Sequence, residues 1–222
     1  MIAVTGATGY IGRAVVAELA RRGLDVVAVS RYCDCPSTAS VQWRATGPAF
    51  PAAATFAGCD TVVHLAGRAH TTTAVADGRD LFDLENRELA LATAEAAHAA
   101  SVRRFVFVST LGVHGSGADA PLCGDSPVHP QLPYARSKWA AEQQLTAWCA
   151  AHDMALCIVR PPMVYGPRCP GNFPRLVRMV RKGLPLPFAM LHAQRSFIYV
   201  DNLASFLAEC ATRDVTGTFV VA

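Results

Sequence analysis

The chain predicts a doubly wound, parallel α/β sheet. Apolar runs of strand length alternate with helix-period segments from end to end. A glycine turn joins the first strand directly to the first helix. The chemistry-bearing residues gather in the turns that follow Val4, Ser30, Ala66, Ser109 and Arg160. Right-handed crossovers place all such turns on one sheet edge, where ligands bind.

Each element has its own signal. Met1–Val4 is an apolar strand entering the glycines, and Ile11–Arg22 is an amphipathic helix leaving them. Gly23 caps that helix before a second apolar strand, Val26–Ser30. Residues 33–58 are rich in Ala, Pro, Thr and Cys and have little period, so a short strand near Val41–Trp43 and one short helix are expected. Thr61–Ala66 is a strand ending at Gly67, and Asp80–Ala100 has helical periodicity. Alternating Phe and Val make Arg103–Ser109 a strand, and the Gly, Pro and His of 111–133 predict loop. Tyr134–Ala151 reads as helix, Met154–Arg160 as strand and 161–174 as irregular. A basic helix over Phe173–Lys182, a strand at Ile198–Val200, a helix over Asn202–Thr212 and a strand at Thr218–Val221 follow.

Composition narrows the function. Among 222 residues, 52% are hydrophobic, which supplies a large core, yet no apolar run reaches membrane-span length. The apolar start lacks a basic leader and a cleavage site, so it is read as a buried strand and the cytoplasm is expected. The eight cysteines are scattered, and Cys33-Asp-Cys35 lacks metal or redox spacing. The histidines show no paired ligand spacing, so no metal is expected. A net charge of +3 is too weak for nucleic acid. Its distribution is uneven. Between Asp153 and Asp201 there is no acid, while Arg160, Arg168, Arg175, Arg178, Arg181, Lys182 and Arg195 all fall there. Such a one-sign stretch predicts an anionic ligand.

Two constellations carry chemistry. Gly6, Gly9 and Gly12 form G-x-x-G-x-x-G between strand and helix, one residue wider than the usual dinucleotide fingerprint. Without Cβ atoms the backbone approaches a pyrophosphate, and the helix N-terminus presents free N–H groups to it. The second is Tyr134-Ala-Arg-Ser-Lys138. Residues i and i+4 share a helix face, so an ammonium one turn away is expected to lower the phenol pKa and ready it for proton transfer. Thr110 offers a hydroxyl from the end of the neighbouring strand.

With these residues the chain resembles the extended short-chain dehydrogenase/reductases, and within them the nucleotide-sugar epimerase/dehydratase family, over essentially its whole length. The resemblance implies a Rossmann-type domain over 1–160, a small, shortened substrate lobe over 161–195, and a return to the first domain over 196–222. Family members run well past this point, so part of the substrate lobe is expected to be missing. It implies NAD or NADP held by Gly6, Thr8, Gly9, Tyr10, Ile11 and Gly12. Leu65, Ala66 and Gly67 of the His64-Leu-Ala-Gly67 motif, Ser109, Tyr134, Lys138 and Pro161 would complete that site. Tyr134 would be the acid/base, tuned by Lys138, with Asn86 positioning the lysine and Thr110 bonding the sugar hydroxyl. Asn172 and Arg195, the latter opening Arg195-Ser-Phe-Ile-Tyr-Val-Asp201, would hold the substrate diphosphate.

The implied activity is epimerisation of a nucleoside-diphosphate sugar, of the UDP-hexose 4-epimerase kind, through transient hydride transfer. The alternatives are an NADPH-dependent ketoreductase on a nucleotide sugar or small carbonyl, and a non-catalytic dinucleotide sensor. The expected partner is a nucleotide sugar, with no nucleic acid or membrane, and a homodimer is within the family's range. Leu111-Gly112 stand where family dehydratases carry Asp-Glu, which argues against dehydration. His114 replaces a family tyrosine. Ser30-Arg31 replaces the acid that bonds the ribose 2′-hydroxyl in NAD-preferring members, so Arg31 leans toward NADP. Arg44-Ala-Thr46 stands roughly where an adenine contact is usual.

Overall fold

The computed structural model describes residues 1–32, 35–69, 81–115, 117, 120–171, 173–183 and 195–222. Its main sheet has seven parallel strands, β1 (Ile2–Thr5), β2 (Val26–Ser30), β3 (Val41–Ala45), β4 (Thr61–His64), β5 (Arg104–Val108), β6 (Ala155–Arg160) and β9 (Gly217–Val220). They lie in the order β3-β2-β1-β4-β5-β6-β9, so the winding reverses between β1 and β4. In open α/β sheets the crevice at that reversal is the ligand site.

The strands read as continuous apolar runs because both faces are covered. β1, β2 and β4 are buried along their whole length. Alternate residues face opposite layers, as a two-residue period requires. Val4, Val26, Val106 and Val159 pack with Val15 and Leu19 of α1 (Tyr10–Arg21) and Leu203 and Leu207 of α5 (Val200–Thr212). Ala3, Val27, Phe105 and Ile158 pack with Ala90 and Ala94 of α2 (Leu89–Ala99) and Leu145 of α3 (Pro133–Ala151).

A second, two-stranded parallel sheet pairs β7 (Met163–Tyr165) with β8 (Phe197–Tyr199), and α4 (Phe173–Arg181) lies between them in sequence. Several expectations need correction. β7 lies inside the stretch read as irregular, because its only partner is β8, far along the chain. The strand placed at Ile198–Val200 starts one residue earlier, and Val200 opens α5. The third strand runs on to Ala45 against β2. The 111–133 loop contains a 3₁₀ turn over Leu111–His114, capped by Thr110 Oγ1. The helix expected over Asp80–Ala100 is described from residue 81, and its first part, Asp83–Glu88, is π-helical.

Candidate active site

At the crevice, β1 ends in Thr5 and the chain turns through the glycines. Gly6 has φ +66°, and a Cβ there would lie 2.8 Å from Ala66 N on the β4 exit. A Cβ on Gly12 would lie 2.1 Å from Gly6 O, so helix and turn close only with glycine at both positions. Gly9 is the N-cap of α1, no side chain caps it, and the first turn has no acid. The helix therefore presents uncapped N–H groups and the positive end of its dipole. Thr8 Oγ1 lies 3.3 Å from Ser30 Oγ and Arg13 Nε donates to Thr8 O at 2.9 Å, tying the turn to β2 and to α1.

Ile11 and Leu65 pack against the core. The Tyr10 side chain turns toward the second lobe. Its phenol is buried against Gly166 and Cys169 of the second lobe, and burial, then Cys169, pushes its pKa up to about 12. It joins the two lobes.

The β4 exit is bound to α3 through Asn86. Asn86 Oδ1 accepts from Arg68 N at 2.9 Å, and its Nδ2 donates to Arg68 O at 3.1 Å and to Ser137 Oγ at 3.0 Å. Asn86 thus reaches α3 at the residue before Lys138. Lys138 is buried; its Nζ donates to Val108 O at 3.0 Å and lies 4.7 Å from the Phe107 ring centroid. A Cβ on Gly67 would sit 3.4 Å from that Nζ, which places the ammonium at the β4 edge of the crevice.

Burial opposes the expected tuning of the phenol. Burial pushes Tyr134 up to about 12, and burial pulls Lys138 down to about 8, partly offset by Glu142. Desolvation disfavours the charged form of each. His64 stacks on Phe105 and Phe107 with Nδ1 3.0 Å from Thr5 Oγ1; its Nε2 has no hydrogen-bond partner among the described residues, and burial, then Lys138, pulls its pKa down to about 3.

Next to Thr110 lies a buried polar network. Ser109, expected at the cofactor, donates its hydroxyl to Glu142. Glu142 also binds Arg160 through Nε at 3.1 and 3.2 Å and Nη2 at 2.6 Å. Arg160 Nη1 lies 3.1 Å from His114 Nε2 and donates to Gly124 O at 3.0 Å; His114 Nδ1 lies 2.9 Å from Pro127 O. Because a guanidinium only donates, His114 is neutral, accepting at Nε2 and donating from Nδ1. Arg160 therefore leaves the predicted anion-binding stretch, since Glu142 neutralises it in the interior. Pro161 is buried behind it and accepts from Leu111 N at 2.8 Å.

Three more arginines of that stretch line an open cleft of about 720 Å³ in the second lobe. Tyr165, Phe173 and Tyr199 give it an aromatic wall, and Arg168, Arg178 and Arg181 give it charge. Arg195 lies exposed two residues before β8 and does not line it. Asn172 lies outside the described residues.

The family model for the NAD dependent epimerase/dehydratase family matches residues 2–222. The chain belongs to that family. It is similar to a UDP-glucose 4-epimerase of Vibrio cholerae, 35% identical over 153 residues, covering 67% of this chain and 47% of the relative. It is also similar to a 2-alkyl-3-oxoalkanoate reductase of Shewanella oneidensis, 28% identical over 90% of this chain and 54% of the relative. Among solved structures, MoeE5 in complex with UDP-glucose and NAD superposes with TM-score 0.81 and 28% identity, covering 99% of this chain and 74% of that one. The chain spans about half the length of the curated relatives it matches.

The residues present in this family member fit a dinucleotide: an uncapped, acid-free helix start behind a glycine turn, with a buried lysine across the crevice. Sequence reasoning missed Glu142 and the aromatic wall. Glu142 stands four residues after Lys138, a helical spacing that offered a signal. The aromatic wall gave none, because β7, α4 and β8 bring it together only in space. Among the described residues, no group of His, Cys, Asp and Glu could hold a metal ion, and no helix is long and apolar enough to cross a membrane.

Proposed function

We propose that this chain is the dinucleotide-binding and proton-transferring part of a nucleoside-diphosphate-sugar epimerase of the UDP-hexose 4-epimerase kind. The supporting observation is the placement of Lys138 Nζ against Gly67, one helical turn from Tyr134, at the crevice that the uncapped glycine turn opens. NAD or NADP would be held by the glycine turn, the β4 exit and Lys138; it supplies reversible hydride acceptance.

The chain's own residues manage protons and position. The Tyr134 phenolate, stabilised by the Lys138 ammonium, takes the proton of the sugar hydroxyl and, as the neutral phenol, returns it to the product oxygen. Thr110 Oγ1, which accepts from Gly112 N at 3.1 Å, positions the hydroxyl. Asn86 fixes α3 and so the lysine. Arg178 and Arg181 hold the substrate diphosphate, and the aromatic wall takes the base or sugar. Arg195 and Asn172 belong to the same proposal as diphosphate contacts. The substrate is a nucleotide sugar and the protomer pairs with a second copy.

A ketoreductase is the second reading. Burial keeps Tyr134 protonated, the form that donates to a carbonyl, and the reductase relative covers most of this chain. The test incubates the protein with UDP- and dTDP-sugars, adding NAD⁺ or NADPH separately, and reads products by NMR. Epimerisation without net reductant supports the first reading, and stoichiometric NADPH use supports the second. No conversion with either cofactor defeats both.

A further inference from the structure

The crevice carries an ion pair that its glycine turn does not explain. Arg31 follows β2 and Glu85 lies beyond β4, so they stand on opposite flanks of β1. Arg31 Nη1 lies 3.5 Å from Glu85 Oε1. Glu85 is the fixed half: Arg68 donates to it from Nε and Nη2, both at 3.0 Å, and its side chain is only 16% exposed. Arg31 is the free half, with its side chain 59% exposed. The glycine turn is fastened beneath this bridge, since Ala7 N donates to Val29 O at 3.2 Å and Thr8 reaches Ser30. A pair that joins both flanks of β1 beyond its C-terminal end spans the crevice beside the pyrophosphate turn, and its Arg31 end stands at the β2 exit, where the adenosine ribose is bonded in this fold class.

We propose that Glu85 selects the dinucleotide, favouring a free ribose 2′-hydroxyl over a 2′-phosphate, and that Arg31 is its tether. This rests on the dinucleotide reading above. In this fold class an acid at the end of the second strand usually accepts the 2′-hydroxyl. That position here holds Ser30-Arg31. Glu85 supplies the missing carboxylate from the other flank. A 2′-phosphate entering there meets a fixed negative charge, and Arg31, which would suit it, is already paired with that charge. The Arg68 and Arg31 guanidiniums keep the Glu85 carboxyl below its ordinary range, so it stays an acceptor at neutral pH. Arg31 alone leans toward NADP; Arg31 held by Glu85 does not.

Isothermal titration of the intact chain with NAD⁺ and with NADP⁺ tests this. The wild type is expected to bind NAD⁺ more tightly. Glu85→Gln is expected to shift the ratio of dissociation constants toward NADP⁺ by about tenfold, the scale of one charge interaction near a surface. In an Arg31→Ala background the same change should have a smaller effect, because part of the gain needs the freed guanidinium. Glu85→Asp keeps the charge and should keep NAD⁺ preference, which serves if the Gln variant unfolds on a thermal melt. A wild type preferring NADP⁺, or an unchanged ratio in Glu85→Gln while both ligands bind, overturns the selection role and leaves the dinucleotide reading standing. Binding of neither ligand overturns both.

Discussion

The two sides of the site handle charge in opposite ways. Along α3 the charged groups are buried and satisfied within the chain: Lys138 on Val108 O, and Glu142 on Ser109 and Arg160. Around α4 the charged groups are exposed, and Arg168, Arg175, Arg178, Arg181 and Lys182 make no ion pair with any described residue. α4 has no buried residue at all. The first arrangement fixes geometry, because a buried charge leaves its partner only at high cost. The second keeps charge available to a ligand and contributes little to folding. Chemistry that needs placement within fractions of an ångström belongs on the first, and capture of a diphosphate on the second.

The sharpest test of the buried side is Tyr134→Phe. Turnover is expected to fall by about 10²–10⁴-fold, the usual worth of a positioned acid/base. Dinucleotide binding and melting temperature should stay near wild type, since no described hydrogen bond depends on that hydroxyl. Retained turnover would remove Tyr134 from proton transfer.

Glu142→Gln should come next. It leaves Arg160 buried without a counter-charge, and breaking such a pair costs about 3–5 kcal/mol. Denaturant unfolding would read the loss. A change under about 0.5 kcal/mol, the range of ordinary surface substitutions, would mean that α3 is no more tightly charge-locked than α4.

Much of this contrast was legible in residue order, and the illegible parts share a cause. The glycine turn, Tyr134 with Lys138, and the alternation of strands and helices are local patterns, visible at spacings of three to five residues. The role of Arg160 was not, because its partner Glu142 lies on another element, and a cation on paper does not declare whether it is buried. The bond of Ser109 was hidden for the same reason: its hydroxyl donates to Glu142. β7 has three residues between prolines and no period of its own, so only its pairing with β8 makes it a strand. The i,i+4 spacing of Tyr134 and Lys138 gives proximity but not dielectric, and burial pushes the phenol up.

Burial also predicts how stability should vary with pH. Lys138 is pulled to about 8, so between pH 8 and its ordinary value the unfolded chain binds more protons and stability rises with pH. Tyr134 is pushed to about 12, so above pH 10 the unfolded chain loses its proton first and stability falls. Lys138→Met should remove the rise between pH 8 and 10, and Tyr134→Phe should remove the fall above 10. Unfolding curves across that range read both. Unchanged limbs would place both side chains in water rather than in the interior.

The smallest effect should come from the open side, and its smallness is informative. Arg178→Ala removes an exposed guanidinium, so stability should change by less than about 0.5 kcal/mol. The apparent KM for a nucleotide sugar should rise about fivefold, one charge-assisted contact weakened by solvent. Salt distinguishes the two sides further. The Debye length falls from about 10 Å at 0.1 M to about 3 Å at 1 M, so the wild-type KM should climb with salt toward that of the variant. The Glu142–Arg160 pair, excluded from solvent, should show no matching loss of stability over the same range. If KM in the wild type is independent of salt, the arginines of α4 do not hold the diphosphate, and the aromatic wall is left to bind substrate alone.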